Sequence, residues 1–123
     1  PMADRYNSHK TWQLLGGLSA LFGVLMGLVA THVMRMPLMG AFCDRGSEYQ
    51  ILHSLALLWL VGRDGLGFSC ARWMFLLGIL VYSGSYYYKA FTSYPHALDY
   101  APYGAGMFMA GWVALAFAGR KYF

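Results

Sequence analysis

TWQLLGGLSALFGVLMGLVATHVM, residues 11–34, decides the fold class of this chain. It contains no Asp, Glu, Lys or Arg, and a helix of that length, rising 1.5 Å per residue, crosses a hydrocarbon core of about 30 Å. The rest of the chain has the same character: 59% of its 123 residues are apolar and only 11% are charged, against about 25% charged in an ordinary soluble domain. A soluble chain this short buries about two-thirds of its surface and must cover the remainder with polar side chains that are missing here. Lipid is therefore the expected solvent, and a conventional water-soluble enzyme is excluded. The net charge of +4 is spread singly between apolar runs, without the basic stripe of a nucleic-acid binder. Cys43 and Cys70 are too few for a disulfide framework or a zinc site. Residues 1–10 are polar and lead into the apolar run without a small-residue cleavage site, so that run is expected to be retained.

Working outward, three further spans follow. Residues 35–48, with Pro37, Gly40 and Gly46 as breakers, read as a connection with at most a short interfacial helix. The second span is short, its uncharged part running only between Glu48 and Arg63. Ser47 and Gln50 have the spacing of a capping box at its start, and Arg63 snorkels at its end. Residues 64–72, with Gly65 and Gly67, read as a tight connection. The third span is flanked by Arg72 and Lys89 and closes on Tyr86, Tyr87 and Tyr88, as where a helix emerges through an aromatic belt. Residues 92–99, with Pro95, form a loop, and the fourth span opens with Pro102 in its first turn. The expected fold is an all-α, integral membrane four-helix bundle in one domain, residues 1–123. Its helices lie near 11–34, 48–64, 72–91 and 100–119, with the N and C termini on the same side. Under four spans Arg5, Lys10, Arg63, Arg72, Arg120 and Lys121 face Arg35, Arg45 and Lys89 across the membrane, which places both termini in the cytoplasm or mitochondrial matrix, whereas dropping the short second span and turning the chain over regroups the same residues into another six against three. Gly16 with Ala20, Gly23 with Gly27, and the line Ala110, Ala114, Ala118 have the small-residue spacing that lets membrane helices approach closely.

The string Ile51-Leu52-His53-Ser54-Leu55-Ala56-Leu57-Leu58 sets a histidine near the start of an otherwise apolar helix. Ala30-Thr31-His32 closes the first span and Tyr86 to Ala90 closes the third. The fourth carries Ala101-Pro102-Tyr103-Gly104 and then Gly111-Trp112-Val113-Ala114-Leu115-Ala116. In order and spacing, over roughly residues 14–117, these motifs resemble the transmembrane protein 256 family, also called domain of unknown function 423. The chain departs from that pattern in its extra aromatics, its Met-rich segment 34–39, and Thr31 beside the first histidine. The resemblance implies a four-helix membrane protein, bacterial in its wider distribution and mitochondrial in its eukaryotic branch, and it brings no activity. By analogy with that branch, the mitochondrial inner membrane is the expected compartment.

His32 and His53 are the residues with most chemical potential, because ionisable groups at membrane depth are costly and face a partner or water. Placed near the exit of the first span and one turn into the second, they are expected at similar depth, where they could meet. Bis-histidine haem ligation is then one reading, and hydrogen bonding to a neighbouring helix or headgroup the other. His9 and His96 are expected in solvent. Glu48, Tyr49, Gln50, Lys89 and Asp99 suggest an outer polar cluster, but no ionisable residue is expected near the middle of a span, where a proton or solute carrier needs one. Ser83 and Ser85 are expected to bond their own helix backbone. No phosphate loop, catalytic triad, metal spacing or carboxylate pair points to an enzyme, and the methionines read as adaptable packing. The expected role is a non-catalytic accessory subunit of a respiratory-chain complex, without a catalytic cofactor. Arg63, Arg72, Arg120 and Lys121 would suit a structural phospholipid such as cardiolipin. A haem-binding redox protein or a small-solute or proton transporter is the alternative.

Overall fold

A computed structural model describes residues 2–123, which are helical throughout apart from short connections. Helix α1 spans Met2–His32 and α2 spans Pro37–Trp59. Helix α3 covers Leu66–Thr92, running as α-helix over Leu66–Gly78, as π-helix over Ile79–Ser83 and as α-helix again over Gly84–Thr92. A 3-10 turn, Ala97–Tyr100, leads into α4, Ala101–Phe117. The chain is thus an all-helical bundle of four antiparallel helices. Two stretches, Asp4–His32 and Leu66–Thr92, are long and apolar enough to cross a bilayer. Leu14, Leu18, Leu21, Leu25 and Leu28 along α1 are roughly half exposed and form an outward apolar face.

The boundaries differ from the sequence reading for identifiable reasons. The polar residues before Thr11 continue α1 instead of leading into it. Residues 37–48 are helix, not connection: Pro37 sits in the first turn, where its missing amide costs nothing, so the apparent breaker is a start signal. The glycines beyond it serve close packing. A Cβ on Gly40 would stand 3.0 Å from the Ala30 carbonyl oxygen, and one on Gly46 would stand 2.8 Å from the Tyr87 ring. Ser47 and Gln50 are no capping box, because both lie well inside α2 and turn their side chains onto α1. The 64–72 connection is also shorter than expected, since Gly65, at φ 134°, caps α3 and the helix begins at Leu66.

Helices α2 and α3 form the centre, with α1 seated on α2 and α4 seated on α3. The face of α1 that meets α2 carries Gly16, Ser19, Gly23, Gly27 and Ala30, three or four residues apart, as one helical stripe requires. The α3–α4 seam alternates rings and glycines. Phe75 packs on Gly111, Phe108 on Gly78 and Tyr82 on Gly104, where an added Cβ would run into the Tyr82 backbone. The π-helical turn turns both Tyr82 and Ser83 inward, and the Ser83 hydroxyl donates to the Gly46 carbonyl at 2.8 Å. Both chain ends lie at the α2–α3 connection: Arg5 approaches Asp64 at 4.0 Å, and the Gly67 amide donates to the Phe123 carbonyl at 2.8 Å.

Candidate functional site

The lengthened α2 sets His53 level with the middle of the apolar run of α1. Gly16 lies against Leu58, Gly23 against Ile51 and Gly27 against Ser47, so each step along α1 is matched by an equal step back along α2. On that register His53 is level with Leu21, midway between Lys10 and His32 and about 16 Å from each. An ionisable side chain does therefore lie at mid-depth, contrary to the sequence expectation. His32 and His53 do not meet. His32 ends α1, exposed, with its Nδ1 beside the Thr31 hydroxyl at 2.8 Å, so the two imidazoles are too far apart to share a haem iron.

His53 is only 2% exposed, and both of its ring nitrogens are engaged. The Trp112 indole N–H, which can only donate, meets Nε2 at 3.0 Å, and Nδ1 lies 2.8 Å from the Tyr49 carbonyl, which can only accept. Together these partners specify a neutral imidazole with its proton on Nδ1. The ring stacks on Phe108, centroids 3.6 Å apart and planes 8° from parallel, and Phe75 stands at 5.3 Å. α2, α3 and α4 thus each contribute to the enclosure. Between α2 and α4 a groove of about 360 Å³ opens to the surface, lined by Leu52, Leu55, Ala56, Trp59, Trp112 and Leu115. Trp112, 42% exposed, is the wall that separates it from His53.

A second polar set faces α1. The Gln50 amide donates to the Ser19 carbonyl at 3.0 Å and lies 3.2 Å from the Ser19 hydroxyl. The Ser54 hydroxyl lies 2.7 Å from the same Ser19 hydroxyl, and the Tyr87 hydroxyl donates to the Gln50 amide oxygen. One turn away, Ser47 donates to the Gly23 carbonyl at 2.6 Å. Among the described residues, every buried side-chain nitrogen and oxygen has a partner. These bonds tie α1, α2 and α3 together at a depth where no water can do so. Sequence reasoning missed Ser19, Ser54, Tyr87 and Trp112. The available signal was the 47, 50, 54 spacing, one helical stripe once α2 is allowed to begin before Glu48.

The remaining expected site residues divide. Gly16, Gly23 and Gly27 lie at the α1–α2 contact, with Ala20 partly buried beside them. On α4, Ala114 is buried but Ala110 is exposed, and Ala118, just beyond the end of the helix, packs against Gly67. The inward face of that helix follows Gly104, Phe108, Gly111 and Ala114, which places Ala110 on the outside. Of the four cations, Arg72 turns inward and donates to the carbonyls of Leu60 and Arg63 at 3.0 and 2.8 Å, closing the C-terminal end of α2. Arg63 covers the Trp59 ring at 3.6 Å. Arg120 and Lys121 are exposed. His9 is only partly exposed and lies 3.9 Å from Asp64, while the exposed His96 pairs with Asp99 at 3.1 Å. Ser85 bonds its own helix at Val81, whereas Ser83 reaches across to α2. Of the outer cluster, Gln50 turns onto α1 and Tyr49 packs against Tyr82, Lys89 donates to the Tyr94 carbonyl at 3.3 Å, and Glu48 and Asp99 are exposed.

The family model for a protein of unknown function, DUF423, matches residues 26–106, which include His53, Gln50 and Tyr87 and stop short of Trp112. A UPF0382 membrane protein of Haemophilus influenzae is 33% identical over 113 residues, covering 87% of this chain and 91% of the relative. One from Staphylococcus epidermidis is 29% identical over 119 residues, covering 92% and 98%. YwdK of Bacillus subtilis, another UPF0382 membrane protein, is 26% identical over 121 residues. No solved structure matches. With matches along nearly its whole length to membrane proteins of this kind, and a fold that buries polar side chains against one another and leaves a row of leucines on α1 exposed, the chain is a membrane protein of the DUF423 family.

Proposed function

We propose that the protein is a non-catalytic structural module, an accessory subunit that packs onto a larger membrane assembly. The observation that carries this reading is how the interior polar groups are spent. Ser19, Ser47, Gln50, Ser54, Ser83 and Tyr87 direct their hydrogen bonds at carbonyls and side chains of neighbouring helices, so they lock the bundle instead of facing a substrate. The outward faces of α1 and α4 carry the contact surface, with Leu14, Leu18, Leu25, Val113 and Phe117 about half exposed. The assembly we favour is a respiratory-chain complex of the mitochondrial inner membrane, with the termini in the matrix. The bacterial relatives are membrane proteins, and the mitochondrial branch that the sequence resemblance implies would share with them the membrane used for respiration. At the terminal end of the bundle, Arg63, Arg120 and Lys121 remain available to a doubly anionic phospholipid such as cardiolipin, whereas Arg72 is occupied in capping α2.

Gentle detergent extraction followed by native electrophoresis tests this reading. The tagged protein is expected to migrate with a large complex containing respiratory subunits, and to leave it when Leu18 and Leu25 are both changed to Asn. Migration at the size of the free chain from undisturbed membranes would count against it.

A further inference from the structure

We propose that the cleft between the start of α1 and the α2–α3 connection binds the phosphoethanolamine headgroup of a phospholipid, its ammonium on Asp64 and His9 and its phosphate on Arg5. The cleft is lined by Arg5, Ser8, His9 and Trp12 of α1, Asp64 of the connection and Arg72 of α3. Its position suits a headgroup. Lys10, Arg63 and Arg72 each end an uncharged run, and the fold brings those ends together: Arg72 donates to the Arg63 carbonyl at 2.8 Å, and Arg5 stands 4.0 Å from Asp64. Three of the four tryptophans gather at the same end. Trp12 meets Trp73 edge-on with ring centroids 5.1 Å apart, and Trp59 lies under Arg63. Charges that close apolar runs, with indoles beside them, mark the boundary between hydrocarbon and headgroups.

The charges of the cleft select the occupant. Among the residues lining it Asp64 is the one carboxylate, and Arg5, His9 and Arg72 surround it. Arg5 approaches one carboxylate oxygen at 4.0 Å and His9 Nε2 the other at 3.9 Å, both too long for direct hydrogen bonds. A primary ammonium between Asp64 and His9 can donate to the carboxylate and to a neutral imidazole nitrogen at once. The phosphate beside it is met by the exposed Arg5 fork and the Ser8 hydroxyl. Arg72 adds positive charge, while its Nη1 is spent on the carbonyls of Leu60 and Arg63. The cleft, about 60 Å³ in volume, is several times the ~10–15 Å³ that one water needs. It admits one small polar group and no ring, so the rest of the lipid lies outside. Phosphatidylcholine carries the same two charges, but its quaternary nitrogen has no N–H to donate. Phosphatidylglycerol has no cation for Asp64, and phosphatidylserine brings a second carboxylate towards it. Asp64 likewise separates this site from the doubly anionic lipid at Arg63, Arg120 and Lys121. The inference does not rest on membership of a larger assembly and can be tested on the isolated chain.

The test is native mass spectrometry of the full chain in maltoside micelles, titrated with dioleoyl phosphatidylethanolamine, phosphatidylcholine or phosphatidylglycerol. Phosphatidylethanolamine is expected to bind about tenfold more tightly than either of the others, the worth of one charge-assisted hydrogen bond. Asp64→Asn, at an exposed position of the connection, is expected to remove that preference. Asp99→Asn, exposed at the other end of the bundle, is expected to leave it intact. Arg5→Gln is expected to weaken phosphatidylethanolamine and phosphatidylcholine alike, by about threefold for an exposed ionic contact. Soluble glycerophosphoethanolamine, the same headgroup without acyl chains, is expected not to displace the lipid. Equal binding of the three lipids, a preference that survives Asp64→Asn, unchanged binding in Arg5→Gln, or displacement by the soluble headgroup would overturn the proposal.

Discussion

Gln50→Leu removes the side chain that joins α1, α2 and α3 while nearly preserving volume, so its cost isolates hydrogen bonding from packing. Gln50 donates to the Ser19 carbonyl, lies within reach of the Ser19 hydroxyl, and accepts from Tyr87. Hydrogen bonds between membrane helices are worth about 0.6 kcal/mol on average, so the three together contribute about 2 kcal/mol. The larger effect comes from the partner left behind, because an orphaned Tyr87 hydroxyl adds about 1 kcal/mol or more. The expected destabilisation is therefore about 3 kcal/mol. Tyr87→Phe alone loses one bond and leaves the Gln50 oxygen unpaired, for about 1 kcal/mol. The double variant removes both members of that pair and loses only the three bonds, about 2 kcal/mol, so it should be milder than the sum of the singles by about 2 kcal/mol, well beyond the 0.3–0.5 kcal/mol within which independent sites add. Reversible unfolding in mixed micelles with rising SDS, followed by tryptophan fluorescence, measures all three. Strict additivity, or a cost below about 1 kcal/mol for Gln50→Leu, would refute the view that these bonds hold the helices together.

Gly104→Ala is expected to cost about 3 kcal/mol in the same assay, because the new methyl meets the Tyr82 backbone, which cannot swing aside. Gly106→Ala, two residues along with nothing within 4 Å, should be neutral or stabilising by about 0.5–1 kcal/mol through helix propensity. Arg72→Met removes both carbonyl bonds that close α2 and is expected to cost about 1–2 kcal/mol. The same change at exposed Arg120 should stay within about 0.5 kcal/mol. Equal effects at the two arginines would show that Arg72 acts only as an interfacial charge.

Composition and uncharged run length were sufficient for the fold class, because lipid acts on those two properties directly: a long run without ions has few stable forms other than a helix. They were insufficient for the boundaries. Glycine, proline and charge end helices in water, and residues 35–48 hold all three. In this bundle Pro37 begins a helix, and Gly40 and Gly46 admit the Ala30 carbonyl and the Tyr87 ring. Local preference suggested a loop, and tertiary contact made a helix. Asp44, Arg45 and Glu48 then lie on α2 itself, so the uncharged run of that helix is shorter than the helix.

The same error explains why the site was only half legible. Histidine, glutamine and serine in an apolar segment attract notice in any reading, but their partners depend on register, and register depends on where α2 begins. With the helix starting near Glu48, His53 sits by the interface, where His32 could reach it and water could satisfy it. With the start at Pro37, it lies level with Leu21, where only protein can supply partners, and the chain supplies them from a different helix, through Trp112. An indole on α4 carries no sequence mark that ties it to a histidine on α2. What the sequence did carry was periodicity: Ser47, Gln50 and Ser54 share one stripe of α2, while Tyr49 and His53 share another about 100° away. Two polar stripes on one membrane helix require two neighbours that accept them, and here the first stripe meets α1 while His53, on the second, reaches α4. The polarity of α2 that makes it the weakest candidate span is what places it at the centre of the bundle, since its two polar faces can be satisfied only by helices on both sides.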